Sequence, residues 1–324
     1  MVRREEGRSP GARRDLFDER LTEEVLSRFE GSASPRFKEV MRNLIRHLHA
    51  FSSEVGLTEE EWMQGIEFLT RTGHITDDGR QEFILLSDVL GVSMLVVGIN
   101  NRHPDGATDS GEAVEVVGGN GHDPTHTTEA TVFGPYFVEG APEYQNGDDI
   151  SNGAPGEPCF VSGRVLNGAG EPLPGAHLDV WQADHEGFYD VQYDGLEEAR
   201  GRGKLRTDEE GRYRFWSVKP EPYPIPHDGP VGDLLEAANR SVMRPAHVHF
   251  MAQAPGYRTL ITHVFAEGDE YLDTDAVFGV KETLIAPFVR HEGGTAPDGK
   301  EMDAPFYTME YDFVLVPSED ASGG

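Results

Sequence analysis

The segment Arg244-Pro245-Ala246-His247-Val248-His249-Phe250 puts two imidazoles at positions i and i+2. On a strand such residues share a face, ~7 Å apart along the chain. Two neutral imidazoles so placed can bind one metal ion; the plainer alternative is a polar residue on a wetted face. Arg244, three residues upstream, can stabilise an anion held near such a metal. Two tyrosines stand in unusual company. Tyr189 ends the run Trp181-Gln182-Ala183-Asp184-His185-Glu186-Gly187-Phe188, where a strand gives way to a loop. Tyr223 lies among prolines 220, 222, 224 and 226, which hold that segment extended. Packing is the ordinary role of such residues. A free phenol has a pKa of about 10, so only a strongly Lewis-acidic ion, such as ferric iron, deprotonates it at neutral pH. His122 and His126 stand four apart with no helix to align them, and are expected to face solvent.

The chain that must position these groups has 324 residues, enough for about two domains of ~150 residues. Hydrophobic residues make up 37% and aromatics 9%, which can build a core. The net charge of −30 repels phosphate backbones and anionic bilayers, so neither nucleic acid nor a membrane surface is an expected partner. One cysteine, Cys159, excludes an internal disulfide and a cysteine-rich zinc site. The longest apolar stretch, Ile84 to Ile99, contains Ser87, Asp88 and Ser93 and is too short to span a bilayer. The basic start, MVRREEGRSPGARRD, is not followed by an apolar run, so a cytoplasmic location is expected. Only five of the 28 basic residues are lysine (Lys38, Lys204, Lys219, Lys281 and Lys300), and carboxylates number 58. Such a surface suits concentrated salt, where the Debye length shrinks to ~3 Å at 1 M.

Helical signals come first. Ser34-Pro35 reads as an N-cap and first turn. Phe37, Val40, Met41, Leu44, Ile45 and Leu48 then fall on one helical face. Thr58 to Glu61 reads as a capping box ahead of Trp62, Ile66 and Leu69. Phe83 to Ile99, apolar on most sides, reads as one or two buried helices. β signals follow: Cys159–Leu166, His177–Gln182, Ala246–Ala252, Leu260–Ala266 and Tyr307–Val316 as strands, with Leu205–Thr207 and Arg212–Trp216 as a hairpin. Short strands with Gly/Pro turns argue for an antiparallel β-sandwich preceded by a helical domain. The expected division is a tail at 1–15, helices over 16–105, an acidic Gly-rich insertion at 106–130, a β-sandwich catalytic domain over 131–316, and a tail at 317–324.

The run GRVLNGAGEPLPGAHLDVWQADHEGFY, then Tyr223 among prolines, then RPAHVHF, resembles the intradiol ring-cleavage dioxygenases. LLSDVLGV, TVFGPYFVEGAP, PYPIPHDGPVGDLL and GDEYLDTDAVFGVK resemble the hydroxyquinol 1,2-dioxygenase branch most closely, with catechol 1,2-dioxygenases next. The resemblance implies a non-haem Fe(III) held inside the sandwich by Tyr189, Tyr223, His247 and His249. It also implies a homodimer built through the helical region, often with lipid at the interface. It implies that Arg244 stabilises charge on the substrate ring and that Tyr223 dissociates and takes a proton. His263 matches a polar position where catechol-type members resemble one another in having glutamine. By segment match, Leu85, Asp88, Val132, Phe133, Gly134, Pro135, Tyr136, Ile225 and Val277 are expected to line the substrate pocket. Asp88 would favour a third ring hydroxyl; capping a helix or facing solvent is its alternative. The implied substrates are O₂ and a small aromatic diol or triol, cleaved between adjacent hydroxylated carbons to a hydroxymuconate or maleylacetate.

Two other readings compete. A transthyretin-like binding module would account for GRVLNGAGEPLPGAHLDVW alone, but has no use for the tyrosine–histidine quartet. A zinc hydrolase using His247 and His249 lacks an evident third histidine or carboxylate motif nearby.

Overall fold

The computed structural model describes residues 19–77, 80–101, 127–193, 195–196 and 198–318. The tail at 1–15, most of the 106–130 insertion with His122 and His126, and residues 319–324 lie outside the described residues. The chain forms two compact units, Met1–Thr70 and Arg71–Gly324.

The first unit holds α1 (Glu19–Ser27), α2 (Pro35–Glu54) and most of α3 (Glu59–Ile75). Ser34 Oγ accepts the Phe37 N–H at 3.2 Å with Pro35 in the first turn, so α2 starts as its sequence predicts. The capping box is also formed: the Thr58 N–H donates to Glu61 Oε2 (2.9 Å) and the Glu61 N–H to Thr58 Oγ1 (3.2 Å). Leu26 and Ile45 are buried, but Phe37, Val40, Leu44 and Leu48 on the apolar stripe of α2 are 45–53% exposed.

In the second unit, α4 (Glu82–Val89) and α5 (Val92–Asn100) divide the Phe83–Ile99 stretch. The expectation that this stretch is buried fails for α5, which has no buried residue. Apolar character on every side shows that a helix avoids water, not that its own chain covers it. Among the described residues no single helix is long and apolar enough to cross a bilayer.

The rest is built from α6 (Pro230–Ala237) and short strands: β1 (Pro158–Asn167), β2 (His177–Gln182), β3 (Arg202–Arg206), β4 (Arg212–Val218), β5 (Tyr223–Pro224), β6 (Met243–Arg244), β7 (His247–Gln253), β8 (Leu260–Ala266), β9 (Ile285–Ala286), β10 (Val289–His291), β11 (Gly294–Thr295), β12 (Glu301–Met302), β13 (Phe306–Glu310) and β14 (Phe313–Leu315). One sheet runs β10-β13-β1-β14, with β4 also on β1; the other runs β3-β2-β7-β8-β9. Most pairs are antiparallel, but β1 lies parallel to β13 and β14. The hairpin expected at Leu205–Trp216 is not one. The turn is tight, with the Gly211 N–H donating to the Asp208 carbonyl at 3.0 Å, yet β3 pairs with β2 and β4 with β1. Thr207 accounts for the divergence. Its Oγ accepts the Ala176 N–H (2.9 Å) and donates to the Leu173 carbonyl (2.6 Å), tying the end of β3 to the turn before β2.

Side-chain alternation divides labour within the second sheet. Leu178 and Val180 of β2 and Val248, Phe250 and Ala252 of β7 join the main core with Val161, Val165, Phe215 and Phe313. The residues between them, Trp181, His247 and His249, point to the other face. The site therefore sits outside the sandwich core, on the far face of one sheet, rather than inside the sandwich. The strand register aligns Trp181, His249 and His263 across three neighbouring strands.

Two features fix the frame. The 310–313 segment passes so close to Gly163 that a Cβ there would lie 1.8 Å from the Tyr311 carbonyl oxygen. Beyond β2, the buried Arg202 braces the loop that carries Tyr189. It donates to Asp190 Oδ1 (2.6 Å) and to the Tyr136 carbonyl (2.8 Å). Gly163→Ala is expected to cost about 3 kcal/mol or more, because only backbone can yield. Arg202→Met leaves Asp190 buried without its partner and is expected to cost ~3–5 kcal/mol. Urea midpoints measure both, and a wild-type midpoint in either variant would contradict the corresponding assignment.

Candidate metal centre and substrate cleft

The quartet meets at one point. Tyr189 Oη lies 3.2 Å from Tyr223 Oη, 2.9 Å from His249 Nε2 and 3.5 Å from His247 Nε2, and the two histidine Nε2 atoms are 3.1 Å apart. All four residues are at most 3% exposed.

Each arrives by a distinct local device. His247 and His249 share the outer face of β7 through strand alternation. Tyr189 follows a turn in which Asp184 Oδ1 accepts the Glu186 and Phe188 N–H groups at 2.9 and 3.2 Å. Gly187 in that turn has φ +82°, and a Cβ there would lie 3.0 Å from Tyr223 Cβ, so glycine lets the two tyrosine segments close up. Tyr223 is held by a two-residue ladder to Arg244 between its prolines.

The electrostatics suit a cation. His247 donates Nδ1–H to the Pro245 carbonyl at 2.6 Å, which leaves Nε2 as a lone pair aimed at the cluster. Burial, then the charge of Arg244, lowers the His247 pKa to about 3. Burial likewise holds His249 and His263 well below the usual imidazole range. Burial pushes the Tyr189 phenol well above 10. Neutral imidazoles are the metal-binding form, whereas a phenol so placed ionises only beside a strong positive charge. Donors bound at about 2.0–2.1 Å and separated by about 90–120° stand roughly 2.9–3.6 Å apart, the spacing observed. The residues present therefore fit a hard, strongly Lewis-acidic ion.

Arg244 lies beside the quartet. It donates from Nη1 to His247 Nε2 (3.2 Å), from Nη2 to His263 Nδ1 (3.3 Å) and from Nε to Asp275 Oδ1 (3.0 Å). Asp275, held below the usual carboxylate range chiefly by Arg244 against the effect of burial, is a site residue that the sequence did not single out. In a chain so rich in acids, one more aspartate in GDEYLDTDAVFGVK carries no distinguishing mark. Contrary to the sequence expectation, a third imidazole is near: His263 brings a ligand-type nitrogen within 4.8 Å of those of His247 and His249.

A cleft adjoins the quartet, lined by Leu85, Asp88, Val132, Gly134, Pro135, Tyr136, Ile225 and Val277, with Tyr223, Pro226 and Arg244. The cleft is tightly closed, with an enclosed free volume of about 10 Å³, roughly room for one water. Phe133 is the exception among the expected lining residues. Its ring lies against Phe137 (centroids 4.5 Å apart) and Trp181 (5.8 Å), away from the cleft. Asp88 neither caps a helix nor faces solvent: it is buried on α4, and burial raises its pKa. Tyr136 stacks on Tyr189 with centroids 4.5 Å apart, and Trp181 stacks on His249 at 4.7 Å.

Residues 132–317 match the family model described as Dioxygenase, and residues 34–108 the one described as Catechol dioxygenase N terminus. The hydroxyquinol 1,2-dioxygenase of Nocardioides simplex is 50% identical over 309 residues, 95% of this chain and 98% of that protein. The 6-chlorohydroxyquinol 1,2-dioxygenase of Cupriavidus pinatubonensis is 51% identical over 298 residues, 92% of this chain and 97% of that protein. The solved structure of hydroxyquinol 1,2-dioxygenase from Pseudomonas putida DLL-E4 superposes with a TM-score of 0.80 at 45% identity, covering 92% of this chain and 98% of that one. With its helices, its β-sandwich and its paired tyrosines and histidines, this chain belongs to the intradiol ring-cleavage dioxygenases.

Proposed function

We propose that this chain is an Fe(III)-dependent hydroxyquinol 1,2-dioxygenase. It adds both atoms of O₂ across the bond between the adjacent hydroxylated carbons of 1,2,4-trihydroxybenzene, giving a hydroxymuconate that tautomerises to maleylacetate. Catechol or a chlorocatechol is the alternative substrate. The observation that carries the reading is the meeting of four donor atoms, each within 3.5 Å of at least one other, at the end of a cleft walled by a buried carboxyl group. The names of the relatives, hydroxyquinol and 6-chlorohydroxyquinol dioxygenases, support it.

Tyr189, Tyr223, His247 and His249 would hold the iron. Bound ferric ion supplies the Lewis acidity that ionises phenols at neutral pH and the electron demand that opens an aromatic dianion to triplet O₂. The chain supplies the rest. Tyr223, the ligand whose ring also lines the cleft, accepts a proton at Oη from an incoming ring hydroxyl. Tyr189, fully enclosed and stacked by Tyr136, keeps its place. Arg244, anchored by Asp275, faces the negative charge gathered on the ring. His263, held by Arg244, adds a neutral imidazole next to His249. Asp88 meets the third hydroxyl, and the apolar wall of Leu85, Val132, Ile225 and Val277 excludes water.

Oxygen uptake with hydroxyquinol, catechol and chlorocatechols side by side tests the reading, together with the visible band of tyrosinate bound to Fe(III). The protein should be reddish, should lose the band in Tyr189→Phe, and should turn over hydroxyquinol fastest. Asp88→Ala should lower kcat/KM for hydroxyquinol relative to catechol by about 5- to 100-fold, as an unpaired polar group costs ~1–3 kcal/mol. A colourless protein with stoichiometric iron would sink the assignment.

We also propose that the exposed apolar stripes of α2 and α3 close against a second copy, and that the acidic surface is adapted to salt. Sedimentation velocity and circular dichroism in dilute buffer and in molar KCl should give a folded dimer in KCl and a loosened chain without it. Equal stability in both would end the salt proposal, and a monomer in both would end the dimer.

A further inference from the structure

We propose that Arg240, which does not line the cleft, is a positioning residue that clamps its two walls together and so sets how tightly the ring is held. The proposal rests on the reading of the cleft as the substrate site.

One wall is α4, which contributes Leu85 and Asp88; the other is the 275–279 segment, which contributes Val277 and holds Arg244 through Asp275. Arg240 reaches both. Nη1 donates to the Val89 carbonyl at the C-terminal end of α4 (2.6 Å), and Nη2 donates to the Ala276 carbonyl (3.0 Å). Carbonyls in the last turn of a helix lack intrahelical partners and carry partial negative charge, so a guanidinium is well matched to Val89. The fork geometry lets one side chain serve two carbonyls, which an ammonium does less well. Its own backbone is pinned, since the Arg240 N–H donates to the Leu235 carbonyl at the end of α6 (2.9 Å). Among the described residues Arg240 has no carboxylate partner. Its charge instead lies 4.8 Å from the centroid of the Phe278 ring. Phe278 is half exposed and has φ +58°, a left-handed conformation that costs a bulky residue and persists only where its surroundings impose it. A strained aromatic, its cation and two carbonyls from opposite walls thus converge beside the cleft.

Arg240→Ala, Arg240→Lys and Phe278→Gly test the clamp. Phe278→Gly removes both the strain and the ring, so its folding is not at risk. In Arg240→Ala, KM for hydroxyquinol should rise about tenfold with kcat within about twofold, and iron content and the visible band should be unchanged. Arg240→Lys should fall between it and wild type. Phe278→Gly should raise KM about threefold without loss of stability. Amide hydrogen exchange needs no turnover: in Arg240→Ala, residues 85–90 and 275–279 should both exchange about tenfold faster. Unchanged KM in Phe278→Gly and Arg240→Lys, or exchange that rises in only one wall, overturns the clamp. Wild-type protein inactive on every catechol overturns the function instead, and the exchange result still judges the clamp.

Discussion

Lone pairs crowded together away from water are the constraint on which the site depends. Two imidazole nitrogens and two phenol oxygens gather there, each within 3.5 Å of at least one other, in a buried region. They pair with one another and with Arg244, but a buried phenolate without a counter-charge is costly. In the proposed reading a trivalent cation would face all four at once. It also creates a new difficulty, since Arg244 is already cationic at 3.2 Å from His247 Nε2. Asp275 offsets that charge through paired contacts to Nε and Nη2. It accepts the Gly279 N–H as well, at 2.8 Å, which holds the carboxylate in place. The aspartate thus allows an arginine and a metal to share one pocket.

The scaffold meets this demand by using both faces of a single sheet. Along β7 Val248, Phe250 and Ala252 fill the sandwich core, while His247 and His249 between them face the site. A one-residue register slip would exchange the two faces. The antiparallel partners β2 and β8, which fix the register of β7, therefore also keep the histidines in place. Function here is insulated from the core and still depends on it.

The same alternation explains what the sequence made legible. His-x-His on a β-type segment and tyrosine locked among prolines are local patterns, and their side chains do meet. Ser34, Thr58 and Glu61 cap helices because capping is also local. What could not be read was decided by distant pairing. The residue run from Leu205 to Trp216 has the composition of a hairpin, yet its two strands enter different sheets because Thr207 is bonded to the turn before β2. Phe133 shares the segment of Gly134, Pro135 and Tyr136, yet its ring turns toward Trp181. Asp275 and Arg240 are ordinary charges in a chain full of them, and only the coordinates show what they hold. The apolar stripe of α2 had the right period, but no period reveals that Phe37, Val40, Leu44 and Leu48 stay about half exposed.

Substrate choice follows from how the cleft is divided. In the proposed reading the quartet and Arg244 would recognise only what all catechols share, two adjacent oxygens and the charge they release. Discrimination must come from the opposite wall, where Asp88 is the one ionisable group contributed by α4 to the cleft. Burial raises its pKa, with a hydrogen bond to Ser93 and the charge of Arg244 acting against it. A ring with a third hydroxyl can pair with such a group, whereas plain catechol leaves it only its contact with Ser93 in an otherwise apolar wall of Leu85, Val132, Ile225 and Val277. The preference for the triol then arises less from a gain with the right substrate than from a penalty with the wrong one, and that penalty persists only while α4 and the 275–279 segment keep water out between them.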